Sequence, residues 1–115
     1  MAFSEFERAR SEKALARFLE RRRPPPSIRA KLDIAFRVQG QSIEIFTVRP
    51  HWQDNNRIVE TSVAKATYNR KKKIWKVFWQ RADLKWHSYQ PHPEVRTIED
   101  FLAIVDEDQY CCFFG

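Results

Sequence analysis

Glycine is almost missing from this chain: Gly40 and Gly115 are the two in 115 residues. A loop that cradles phosphates needs several glycines close together, so P-loop and dinucleotide-binding motifs are excluded. Cysteine is as scarce, and Cys111 and Cys112 stand side by side. Neighbouring cysteines bridge only in a strained ring, which excludes a disulfide framework and leaves two reduced thiols, as in a cytoplasmic protein. The acids around them and the lack of nearby cations argue against reactive, low-pKa thiols. No apolar run approaches the ~20 residues of a membrane span. The opening MAFSEFERARSEK carries Glu5, Glu7 and Glu12 without an apolar stretch, so no signal peptide is expected. His51, His87, His92 and the two cysteines lack the spacing of a zinc site, and neither metal nor cofactor is expected.

What the chain has is aromatic bulk and positive charge. At 43% hydrophobic and 14% aromatic it carries enough apolar bulk for one core, and residues 1–115 read as a single domain. The net charge of +6 is unevenly spread: +5 over residues 1–32, −1 over 33–60, +7 over 61–90 and −5 over 91–115. Within the fold the acidic end either neutralises part of the basic middle or leaves a dipolar surface that attracts polyanions on one side.

A helix opens at Ser4, with Glu7 three residues on in the pattern of a capping box. Phe6, Ala9, Leu15, Phe18, Leu19 and Arg22 recur at three- and four-residue steps and predict its buried stripe. Arg21, Arg22 and Arg23 suit the negative end of the helix dipole, and Pro24, Pro25 and Pro26 stop the helix. Residues 27–32 add at most one helical turn. Alternation then predicts strands over 33–39, 42–49, 60–69, 73–81 and 85–90. Gly40 and Gln41 turn the first pair, residues 51–57 form a polar loop, and Arg70, Lys71 and Lys72 turn the third strand into the fourth. After Pro91 and Pro93, Thr97 caps a second helix with Ile98, Phe101, Leu102 and Val105 on one stripe. It ends near Asp106, Glu107 and Asp108, where the dipole disfavours acids. The expected fold class is α+β, a five-stranded, mostly antiparallel sheet flanked by an N-terminal and a C-terminal helix.

The segments RRRPPPSIRAKLD, SIEIFTVRPHW, VAKATYN, IWKVFWQRADLKWHSY and FLAIVDEDQYCCFFG, in that order, resemble a family of short bacterial proteins of unknown function. WQRADLKWH is the most specific of these, and the resemblance spans nearly the whole chain. It implies a bacterial, single-domain, cytoplasmic protein and brings no activity, cofactor or catalytic residue with it.

Function rests on the aromatic and basic segment. Sheets that bind single-stranded nucleic acid stack bases on aromatic rings and track the backbone with Lys and Arg. Arg70, Lys71, Lys72, Lys76, Arg81 and Lys85, with Trp79 and Trp86, are the candidate contacts. The bland reading puts the tryptophans, Trp75 included, in the core and the lysines in solvent. The Arg21–23 run joins the footprint only if folding brings it beside the lysines. A second class is a protein-interaction or structural module, with the C-terminal tail, Phe113 and Phe114, either closing the core or serving a protein partner or self-association. A third is a small metal-independent ribonuclease using His87, Tyr89 and Lys85 near Arg81 and Asp83, with Glu44 a further carboxylate. A surface histidine beside a structural Asp83–Lys85 turn is the plainer reading of that cluster.

Overall fold

The computed structural model describes residues 5–51, 53–54, 56–108 and 113. The expected cap at Ser4, the loop residues Trp52 and Asn55, the two cysteines and Phe114 lie outside the described residues.

The order of elements is α1 (Glu5–Arg22), β1 (Asp33–Gln39), β2 (Ser42–Pro50), β3 (Ile58–Asn69), β4 (Ile74–Gln80), β5 (Trp86–Ser88), β6 (Glu94–Val95) and α2 (Ile98–Glu107). Strands β1 to β5 form an antiparallel meander in sequence order. The fold is α+β, with two helices and a five-stranded antiparallel path. Short β6, not foreseen from the sequence, continues along the β4 margin beyond β5 and pairs Val95 with Trp75. Prolines hid it: Pro93 donates no N–H, but its carbonyl accepts the Val77 N–H at 3.0 Å.

Strand alternation sends one face toward the helices. Ile43, Ile45, Ala64, Ala66, Trp75 and Val77 meet Leu15 and Phe18 of α1 and Ile98, Phe101, Leu102 and Val105 of α2 in one buried cluster. A bulge where Ile45 pairs with Ala64 but Phe46 with Ser62 lets the consecutive Val63 and Ala64 both join that core. The α1 stripe differs from the expected one. Phe6 is 79% exposed and Ala9 is exposed, whereas Ser11, Leu15 and Phe18 are buried, with Ala14 and Leu19 beside them. The helix meets the sheet only from its second turn onward, so Phe6 has no core to enter.

Helix α2 is capped as its sequence predicts: the Thr97 hydroxyl accepts from the Asp100 N–H at 3.1 Å. At its other end Asp108 takes the left-handed conformation, φ 45°, and its N–H returns to the Ile104 carbonyl. Asp106 remains within the helix despite the dipole because Arg21 and Arg22 of α1 lie 3.8 and 3.6 Å from its carboxylate. Phe113 packs its ring 4.8 Å from that of Tyr89, so this part of the tail closes the core.

Candidate nucleic-acid interface

The β3–β4 hairpin is short and carries its cations outward. The Asn69 side chain accepts from the Lys72 N–H at 3.2 Å, and Lys73 turns the chain with φ 54°, a conformation usually left to glycine. Arg70 is not a loose cation: its guanidinium donates to Glu7 at 3.0 Å and anchors the hairpin to α1. Lys71 and Lys72 are exposed and make no ion pair among the described residues. Lys76 comes next on the helix-free face, opposite Thr67 of β3. Lys71, Lys76, Arg70, Thr67 and Gln41 line a shallow concavity of about 380 Å³ at this end of the sheet.

The rest of the helix-free face alternates rings with cations. Lys65 sits with its ammonium 5.3 Å from the Phe78 ring centroid and 5.2 Å from that of Trp86. The Arg37 guanidinium lies 4.1 Å from the Phe46 centroid while donating to Glu60 at 2.6 Å. That hydrogen bond, with desolvation working against it, holds the Arg37 pKa above its ordinary value. Ser62 donates to Glu44 at 2.6 Å, and Ser42 bonds Thr67 at 2.8 Å. A second cleft of about 220 Å³ runs among Arg37, Ser42, Glu44, Lys65 and Trp86. Such cation–π seats hold flat rings beside positive charge, the pairing that stacked bases and phosphates require.

Folding divides the sequence-derived candidates. Arg70, Lys71, Lys72 and Lys76 come together at the hairpin end. Arg81 and Lys85 lie at the other end of seven-residue β4, roughly 20 Å away at strand spacing. Trp86 belongs to the helix-free face through its contact with Lys65. Trp79 faces the helices, packs against the core and carries the Arg81 guanidinium 5.5 Å from its centroid. Trp75, 6% exposed, is core. Arg37, Phe46 and Lys65 are members of the face that sequence reading missed, whereas Phe78 shares the Lys76 face as strand parity predicts. Strand parity would have put Lys65 and Phe78 on faces of their own strands, but only the register, Lys65 opposite Phe78, joins them.

The His87 cluster is a turn. Asp83 accepts from the Lys85 N–H at 2.9 Å and bonds the His87 imidazole at 2.9 Å, and both contacts hold its carboxyl below the ordinary range. Leu84 completes the turn with φ 62°. Tyr89 does not share an exposed face with His87 and Lys85; it is buried against Phe113. His87 pairs with Trp79, on the helix side, whereas Glu44 is opposite Lys65, on the helix-free side. The sheet itself separates these two residues, so they form no common groove.

The Arg21–23 run is a different kind of surface. Arg21 and Arg22 pair with Asp106, and Arg23 grips Asp33 through two bonds of 2.7 Å. It stands about 21 Å along α1 from Glu7 and the hairpin at helical rise. No helix is long and apolar enough to cross a membrane among the described residues, and no cluster of metal-ligating side chains occurs among them.

No curated protein and no solved structure matches the chain. The family model described as "Domain of unknown function (DUF3024)" matches residues 3–115. The chain belongs to that family.

Proposed function

We propose that this protein contacts single-stranded nucleic acid without catalysis, through the β3–β4 hairpin end and the adjoining helix-free face of the sheet. The observation that carries the reading is that Lys71 and Lys76 line one concavity at the hairpin end, with exposed Lys72 in the same turn, none of the three in an ion pair among the described residues, and that the helix-free face continues from Lys76 to Phe78 and Lys65. Cations already paired with carboxylates must break those pairs to meet a phosphate, whereas these three need only shed water and counterions. Phe78 and Trp86 supply stacking surfaces for bases, and Lys65 between them supplies charge. Arg70 serves as the hairpin's anchor to Glu7 rather than as a phosphate contact. Arg81, whose guanidinium lies over Trp79 on the helix side of the sheet, stands off this surface.

The test is a titration of a fluorescent single-stranded oligonucleotide at several salt concentrations. Three phosphate contacts give a slope of log affinity against log salt of about −2, from roughly −0.7 per contact. Lys65→Ala removes the charge between the rings, and Trp86→Ala removes one ring; each should weaken binding several-fold for every sequence tried. Undetectable binding at low salt would end this reading.

A further inference from the structure

Strand β1 is the open margin of the sheet: β2 lies on one side of it, and among the described residues no strand lies on the other. The ladder shows which of its backbone groups face outward. Tyr68 donates its N–H to the Gln41 carbonyl at 2.9 Å, so the odd-numbered residues at the start of β2 bond toward β3. Its even-numbered residues, Ser42, Glu44, Phe46 and Val48, therefore bond toward β1, where their partners are Gln39, Arg37, Ala35 and Asp33. The N–H and C=O groups of Ile34, Phe36 and Val38 point away from the sheet. The Ile34 N–H is taken by the Asp33 carboxylate at 2.8 Å. Those of Phe36 and Val38 meet no other strand among the described residues.

A seven-residue margin with no proline is a template for another strand. Antiparallel self-pairing must match outward-facing residues with outward-facing residues, which restricts where a two-fold axis can pass. With the axis at Arg37, two guanidinium groups would oppose one another. With the axis at Phe36, Asp33 would face Gln39. With the axis at Ala35, Asp33, held by its own Arg23, faces Arg37 of the second copy, held by its own Glu60, and the reverse, so opposite rather than like charges meet twice on the helix-free face. On the helix side the same register sets Ile34 against Phe36, and Leu32 against Val38. Leu32 is 40% exposed in one chain, and Phe36 and Val38 are half-buried, so apolar surface at this margin is covered from both sides.

We propose that two copies of the chain associate through antiparallel pairing of β1 with β1, the axis at Ala35, to form one continuous sheet. The axis runs perpendicular to the sheet, so both helical layers lie on the same face. The Ile34 N–H passes from the Asp33 carboxylate to the Phe36 carbonyl of the second copy, while Asp33 keeps its grip on Arg23 and stands beside Arg37 of the second copy. This proposal is independent of the nucleic-acid reading.

Sedimentation velocity over a range of concentrations tests it. Wild type should show a monomer–dimer equilibrium, and Ala35→Lys should weaken it at least tenfold by opposing two ammonium groups on the axis. Ala35→Thr should keep it, and circular dichroism should show both variants folded. The register is read by cross-linking in a chain carrying Cys111→Ser and Cys112→Ser. Across a non-hydrogen-bonded pair the Cα atoms stand about 4.5 Å apart, within disulfide reach. Ala35→Cys should therefore form a covalent dimer on mild oxidation. Gln39→Cys, opposite Lys31 of the second copy, should not. A monomer at every concentration, a dimer unmoved by Ala35→Lys, or equal cross-linking at the two positions would overturn the proposal.

Discussion

At the C-terminal end of α1, Arg21 and Arg22 reach Asp106 of α2, and Arg23 grips Asp33 at the start of β1. At the tip of the β3–β4 hairpin, Lys71 and Lys72 make no ion pair among the described residues. The two basic runs read alike in sequence, yet one is spent inside the fold and the other is presented outward. Asp106 of α2 and Asp33 of β1 make the difference, since they meet the arginines, whereas at the hairpin tip no carboxylate lies within ion-pair distance of Lys71 or Lys72 among the described residues. Glu99 faces Arg10 at 3.6 Å in the same layer. These pairs are exposed, worth about 0–1 kcal/mol each, so their chief consequence is electrostatic: they lower the positive potential of the helical layer and leave that of the hairpin.

The harshest way to break the comparison is to remove the layer that carries the acids. Phe101 is fully buried at the centre of the α2 stripe, and Phe101→Ala should cost about 3–5 kcal/mol through the cavity it leaves. A domain stable by only ~5–15 kcal/mol would then melt far below wild type or fail to fold. Melting within a degree or two of wild type would show that the core is misassigned.

A milder change sharpens the comparison by converting one region into the other. Asp106→Asn should lower stability by no more than about 1 kcal/mol, measured by denaturant unfolding. It should also release Arg21 from its carboxylate, steepening the salt slope of oligonucleotide binding by about 0.7 if it reaches a phosphate.

Acid pH tests the pairing at the sheet margin. The bidentate bond from Arg23, and after it the Ile34 N–H, hold the Asp33 carboxyl below its ordinary value against partial desolvation. A depressed native pKa stabilises the fold fully above the unfolded value, near pH 4 for an aspartate. That contribution is lost as pH falls through the lower native one. Asp33→Asn should therefore flatten the acid limb of a stability profile below about pH 4 and be felt least under acid conditions. An unchanged acid limb would remove Asp33 from the account.

Local patterns made much of this fold legible. β1 runs over the expected 33–39 because Ile34, Phe36 and Val38 alternate cleanly between an aspartate and a glycine turn, and α2 starts where Thr97 and its four-residue stripe predict. The expected fifth strand, 85–90, shrank to Trp86–Ser88: the Tyr89 N–H still bonds the Val77 carbonyl in ladder register, but Val77 gives its own N–H to the Pro93 carbonyl, so the margin of β4 passes to the β6 segment. Phe6 misled the α1 stripe because periodicity says which side of a helix is apolar, not where the sheet beneath it ends. The candidate site was legible as a hairpin rich in lysine. Which cations were already paired was not, since Arg21 and Asp106 meet only through the packing of two helices at opposite ends of the chain. The seat of Lys65 between Phe78 and Trp86 needs three strands in register before it exists.

The central claim, that the lysine run is available to phosphates and the arginine run is not, reduces to one pair of salt titrations. Single-stranded oligonucleotide binding should be followed across salt concentrations for Lys71→Ala/Lys72→Ala and for Arg21→Ala/Arg22→Ala. The first should flatten the slope by about 1.4 and weaken all sequences alike, and the second should leave the slope within error of wild type. A slope that flattens in the arginine variant and persists in the lysine variant would contradict the account.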